Sequence, residues 1–243
     1  MNKAIDDLRA FLPGATHDWK DGKNRVIGHV VLSPLIACDV GDSGFTEDWA
    51  VVNVDASKVD STNFVGNVID LGTDIPVAEF TSWMCPNRAN PPSFVYPGSR
   101  LHEFFGFIPD REMGCPDSKT CDHLNDPAIM VMKRGHTTGL TVGRLNTIRS
   151  FSKYYHEGDS EVGMNSKEVC VLPRNSKSGP FSEPGDSGSS VVDGKGRIAG
   201  LLTGGAGDSV ISDCTYVTSI NFIRERMASY GLQANFFPES HHN

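Results

Sequence analysis

The chain has 243 residues, 38% of them hydrophobic, and carries 30 acidic against 22 basic side chains for a formal net charge of −8. That length suits one large or two small domains with a substantial core. The acidic balance argues against nucleic acid or an anionic membrane as partner, and no apolar run approaches the ~18 residues of a membrane span.

Met1 is followed by NKAIDDLRAFLPGATHDWKDGKN, which lacks the apolar core of a signal peptide and predicts an intracellular, cytoplasmic chain. Ile5, Leu8, Phe11 and Leu12 have helical spacing, so residues 2–12 are expected to form a helix that Pro13 and Gly14 end. From residue 25 the texture changes to short runs rich in Val and Ile, broken by Gly, Pro, Asn and Asp. RVIGHVVL, DWAVVNVD and VGNVIDL read as strands. Residues 73–125 are rich in Pro and loop-like, and NRANPPSFVYPGSR is the expected inter-domain crossing.

A second β-rich stretch runs through AIMVMKRG, GLTVGRLNTI, KEVCVL, SSVVD and RIAGLLTG, with DGKG as a hairpin turn between the last two. SINFIRERMASYG then reads as a closing helix, with Ser219 as N-cap, Gly231 past its end, and Phe222, Ile223, Met227 and Tyr230 on one face. Many short strands with one terminal helix indicate an all-β fold of barrel type.

The cysteines at 38, 85, 115, 121, 170 and 214 are dispersed, and no Asn-x-Ser/Thr acceptor occurs, so reduced thiols are expected rather than a disulfide scaffold. CPDSKTCDH gathers Cys115, Cys121 and His123, but a zinc site needs a fourth ligand and a tighter first pair. A loop with thiols is the simpler reading. No metal or other cofactor is expected.

Ser187 lies in EPGDSGSSV, between a loop and a strand. Glycines at 185 and 188 permit backbone conformations closed to other residues. Such a bend can aim the amides of Gly185 and Ser187 at one spot beside the Ser187 hydroxyl, which is what an oxyanion hole requires. The G-x-S-x-G elbow is excluded because residue 189 is Ser, and a phosphate loop is excluded because Gly196 follows Lys195.

GDSGSSVVDGKGRIAGLLTGG resembles the active-serine segment of trypsin-like, chymotrypsin-fold serine peptidases. VMKRGHTTGLTVGRL is similar to the first hairpin of the second barrel in bacterial and fungal members, and TYVTSINFIRERM to the strand and helix that close their chain. TEDWAVVNVD resembles the segment in which the catalytic aspartate precedes a buried strand. The resemblance covers about residues 25–230 in the right order. It implies two antiparallel β-barrels of chymotrypsin type and a C-terminal helix. Residues 1–95 would form a partial N-terminal barrel with its helix, and 96–243 the barrel with the nucleophile.

The resemblance further implies that Ser187 attacks a polypeptide substrate, that Asp48 orients a histidine base, and that Gly185 and Ser187 hold the oxyanion. Asp186 is structural in such a motif, and Asp55 reads as a turn residue. The base itself is missing from its usual place. His17 and His29 alone precede Asp48. His29, the one candidate, is only 19 residues before Asp48 and sits in a strand that resembles the one just ahead of the aspartate loop. Residues 1–24 offer no earlier strands, so the expectation is a chain lacking the start of its first barrel. His136 reads as an exposed hairpin residue. Around the S1 pocket, the resemblance points to Phe181, Thr203, Gly204 and Gly205. Phe181 stands where an acid would meet Lys or Arg, so basic specificity is not expected, and Glu183 lies nearer the serine. Two readings stay open: a serine endopeptidase working through an acyl-enzyme, and a catalytically inactive fragment or pseudo-peptidase scaffold used for binding.

Overall fold

The structure, a computed structural model, describes residues 2–60, 62, 64–87, 94–156, 159–206 and 214–238. In chain order, α1 (Asn2–Lys20) precedes β1 (Gly28–Leu32), β2 (Ala37–Val40), β3 (Phe45–Glu47) and β4 (Val51–Val54). β5 (Val68–Asp70), α2 (Val77–Met84), β6 (Leu101–Glu103), β7 (Gly106–Phe107) and α3 (Asp110–Gly114) follow. The second half holds β8 (Met130–Gly135), β9 (Gly139–Leu145), β10 (Ser150–His156), β11 (Asp159–Pro173), β12 (Ser190–Asp193), β13 (Arg197–Ala206), β14 (Cys214–Ser219) and α4 (Ile220–Ser229). The chain divides into two compact units, one of residues 1–34 and 50–64, the other of 35–49 and 65–243. The crossing expected near residue 95 falls within the second range, and residues 88–93 of it lie outside those described.

In the smaller unit β1 and β4 run antiparallel, with His29 opposite Asn53 and Val30 opposite Val52. Gly28 is required there, because a Cβ would collide with the Asn53 carbonyl. Asp55 accepts from the Ser57 amide at 2.9 Å and caps a short 3₁₀ turn, which is the turn role read from its position. Helix α1 corrects one expectation, since it continues through Pro13 to Lys20. Proline removes one backbone donor, but its fixed φ is itself helical, so a further turn can follow.

The larger unit is built on an antiparallel sheet that closes on itself. β8, β9, β11, β14, β13 and β12 pair in that order, and β12 returns to β8. Val171 shows the closure, paired with Leu145 of β9 on one side and Thr215 of β14 on the other. Val131, Val169, Val171, Val191 and Val217 are fully buried, as small β-branched side chains filling a narrow ring should be. β11 and β12 stand on opposite sides of this ring. Antiparallel alternation puts the end of β11 and the start of β12 at the same rim, so residues 174–189 must cross that end. The turn between β8 and β9, the end of β13 and the start of β14 fall at the same rim. Topology thus gathers three segments around the crossing that carries Ser187.

The hairpin at DGKG forms as read: Gly196 has φ +80°, and the Asp193 carboxylate accepts from the Lys195 and Arg197 amides. α4 is capped by the Ser219 hydroxyl, which accepts from the Asn221 amide, and it buries Phe222, Ile223 and Met227. α2 was not expected in its proline-rich surroundings. It is one of the short helices that tertiary packing decides, through Phe80 and Met84 one turn apart and buried. Among the thiols, Cys170 and Cys214 are joined, which corrects the expectation of reduced cysteines throughout. They lie on neighbouring strands with Cα atoms 6.2 Å apart, within disulfide reach, although 44 residues separate them in sequence. Among the described residues no three His, Cys, Asp or Glu side chains gather to hold a metal, and no helix is long and apolar enough to cross a membrane.

Candidate active site

The crossing segment is held to the rim by one carboxylate. Asp186 is fully buried and accepts five hydrogen bonds: from the Lys133 ammonium at 2.9 Å, the Thr138 hydroxyl at 2.7 Å, and the amides of Thr137, Thr138 and Glu183. Lys133 is also fully buried and donates to the Thr138 hydroxyl. Burial works to raise the Asp186 carboxyl, but Lys133, the Thr138 hydroxyl and the amides outweigh it and hold the group far below the usual carboxylate range. Burial pulls the Lys133 ammonium down against the opposing attraction of Asp186. The Asp186 carboxyl is therefore ionised at neutral pH, facing the Lys133 nitrogen. The hairpin turn grips the crossing a second time through the Thr137 hydroxyl, which donates to the Pro184 carbonyl at 2.8 Å. Close approach explains two glycines here. A Cβ on Gly135 would strike the Asp186 carboxylate, and one on Gly185 the Thr137 hydroxyl.

Ser187, one residue beyond this anchor, is exposed. The Asp186 amide donates to Glu183, the Gly188 amide to Leu202 at 2.7 Å, and the Ser189 amide to Asp186. The amides of Gly185 and Ser187 donate to no group among the described residues. Gly185 at φ +102° and Gly188 at φ +83° occupy the region that favours glycine and turn the backbone around these two donors. A buried, fully bonded residue is thus flanked by two exposed ones whose N–H groups have no partner among the described residues.

Beside Ser187 lies a cavity of about 350 Å³ lined by Ser182, Glu183, Pro184, Ser187, Leu202, Gly204, Gly205 and Ala206. Gly204 and Gly205 therefore stand on its wall. Phe181 and Thr203 do not. The Phe181 side chain is fully buried, with its carbonyl accepting from the Thr141 hydroxyl at 2.7 Å, and a Cβ on Gly143 would overlap its ring. Thr203 turns its hydroxyl to the Tyr216 carbonyl. Ser182 meets the buried Thr215 hydroxyl at 2.6 Å on the adjoining strand start.

Asp48 directly follows β3 and is exposed, with no hydrogen bond or ion pair among the described residues. The neighbouring acid, Glu47, is the buried one, and it accepts from both Arg226 Nε at 2.7 Å and Nη2 at 3.0 Å. Ser187 and Asp48 belong to the larger unit and His29, exposed on β1, to the smaller. Of the other histidines, His102 is buried and its Nε2–H donates to the Asp193 carbonyl at 3.0 Å. His136 is exposed in the hairpin turn. His241 and His242 lie outside the described residues. No histidine among those described is hydrogen-bonded to Ser187 or Asp48.

Sequence reasoning missed Lys133, Thr137 and Thr138. Their signal was present in AIMVMKRGHTT, where a lysine continues a run of inward residues at a point an apolar strand would not place it.

No family model and no curated protein matches the chain. Solved structures do. Cellulomonas bogoriensis chymotrypsin is similar at 26% identity over 46% of this chain and 52% of its own, with a TM-score of 0.31. A glutamic acid specific serine protease that uses a histidine triad in substrate binding is similar at 15% identity, over 76% of this chain and 65% of its own, with a TM-score of 0.40. Nocardiopsis protease is similar at 23% identity over 40% and 45%, with a TM-score of 0.30. The solved structures that this chain resembles are serine proteases. It spans between 45% and 65% of the length of these three.

Proposed function

We propose that this chain is a serine endopeptidase of the chymotrypsin type, with the closed ring as its second barrel and an acyl-enzyme formed on Ser187. The observation that carries this reading is the pair of amides on either side of the buried Asp186, Gly185 and Ser187, that have no partner among the described residues. In the reaction the Ser187 oxygen adds to the peptide carbonyl carbon, and its proton passes to a base. The carbonyl oxygen becomes an oxyanion that accepts from the two amides. Each such donor typically contributes ~2.7–4 kcal/mol to the transition state. The C–N bond then breaks, the amine leaves with a proton, and water hydrolyses the ester. Asp48 would orient the base, and His29 is the histidine the sequence offers for that role.

A second reading is a peptide-binding scaffold without turnover. It is favoured by one specific observation, that no described histidine is hydrogen-bonded to Ser187 or Asp48. Losing the triad histidine costs on the order of 10⁶ in turnover. The two readings separate in one experiment. Incubation with p-nitrophenyl acetate, followed by peptide mapping, should place an acetyl group on Ser187 and none on Ser187→Ala. Absence of acetylation, with retention of peptide binding, would select the scaffold.

A further inference from the structure

Among the described residues the cavity beside Ser187 has one ionisable lining residue, Glu183, and its character is unlike what Phe181 implies. Glu183 contributes its backbone to the Asp186 anchor, donating to the carboxylate and accepting from the Asp186 amide. Those bonds fix its position two residues before Gly185. Its own carboxylate has no hydrogen bond or ion pair among the described residues. Lys133 is buried and hydrogen-bonded to Asp186, Thr138 and the Gly139 carbonyl. Lys133 attracts the Glu183 carboxylate as well as that of Asp186, but one ammonium faces two carboxylates, so the group leaves one excess negative charge at the cavity.

The remaining lining is neutral. Leu202 and Pro184 offer apolar surface, while Gly204, Gly205 and Ala206 leave one side open to small contacts only. Ser182 shares one hydroxyl–hydroxyl hydrogen bond with Thr215 and carries no charge. Phe181, at the position where the resemblance would place a specificity acid, is sealed in the core and contributes none. An aliphatic stem lying on Leu202 with a cationic head at Glu183 matches this distribution. A carboxylate would meet only repulsion.

We infer that the cavity is a cation-selecting side-chain pocket, with Glu183 as the residue that confers selectivity, and that the preferred substrate residue is lysine or arginine. This rests on the peptidase reading only for the word substrate; the pocket's preference can be measured without any chemistry. The partly exposed setting keeps the electrostatic gain modest, so about a fivefold preference for a cation over its neutral isostere is expected.

The test uses the full chain carrying Ser187→Ala, which cannot be acylated at that position, titrated by NMR with N-acetyl-lysine amide, N-acetyl-norleucine amide and N-acetyl-glutamate amide. The lysine ligand should bind about fivefold more tightly than the norleucine ligand, with the shifts centred on Leu202 and Gly204–Ala206. Adding Glu183→Gln should make the two equal, and Glu183→Lys should move the preference to the glutamate ligand. Equal binding of lysine and norleucine in the Ser187→Ala chain, or a lysine preference that survives Glu183→Gln, would overturn the inference. A lysine preference in a chain whose native form forms no acyl-enzyme supports the pocket and refutes only the peptidase reading.

Discussion

Replacing Lys133 by Met tests the anchor that positions the candidate oxyanion donors. Removing one partner of a buried ion pair costs about 3–5 kcal/mol, because the other charge is left without compensation. Asp186 would keep four of its five donors, the Thr138 hydroxyl and three amides, so the loss belongs at the low end, about 3 kcal/mol. With a urea dependence of about 2 kcal/mol per M, the unfolding midpoint should fall by roughly 1.5 M. Tryptophan fluorescence in a urea series at pH 7 reads this directly. The pH profile supplies a second check. The folded-state Asp186 carboxyl is held low, so its contribution is fully present above the ordinary carboxyl pKa and is lost as pH falls below about 4. Without Lys133 the carboxyl is held less low, so the acid-dependent loss should be smaller and complete at a higher pH. A midpoint shift under about 0.5 M together with an unchanged acid profile would refute the reasoning, since Lys133 would then not be the counter-charge.

Three further outcomes follow from the same geometry. Gly185→Ala should lower acylation of Ser187 at least tenfold, because φ +102° and the Thr137 hydroxyl both oppose a Cβ, at a cost of about 1–3 kcal/mol; intact-protein mass spectrometry after ester treatment measures it. Phe181→Ala should destabilise the fold by about 3–5 kcal/mol in urea unfolding, as truncation of a buried aromatic does, while leaving the lysine-to-norleucine binding ratio unchanged. A changed ratio would put Phe181 in the pocket. Arg226→Met should cost about 2 kcal/mol, the value of hydrogen bonds to a charged group, by leaving the buried Glu47 carboxylate without its two donors.

Strands were legible where apolar runs alternate with turn chemistry: MVMKRG, SVVD and RIAGLL became β8, β12 and β13, and Asp193 to Gly196 became the hairpin between two of them. α4 was equally plain, because its cap, its apolar face and its terminating glycine all lie within 13 residues. What escaped reading was long-range. The ring closes through pairings of Val171 with Leu145 and Thr215, which no local pattern marks. The engagement of Lys133 by Asp186 spans 53 residues, and that of Glu47 by Arg226 spans 179. The pocket wall was half legible. GlyGly at 204 and 205 signalled an open edge, but whether residue 181 or 183 faces it depends on which side chain the crossing turns inward. Phe181 goes to the core because Gly143 leaves room for its ring, and Glu183 is left at the cavity.

The measurement that bears most directly on the proposed nucleophile is labelling of the purified chain with a fluorophosphonate probe, beside Ser187→Ala and His29→Ala. In that reaction the Ser187 oxygen displaces fluoride from phosphorus and its proton goes to the base. The account predicts a single labelled site at Ser187, absent in Ser187→Ala and strongly reduced in His29→Ala. Full labelling in His29→Ala would remove that histidine from the mechanism. No labelling of the native chain, or labelling that persists in Ser187→Ala, would contradict the assignment of Ser187 as nucleophile.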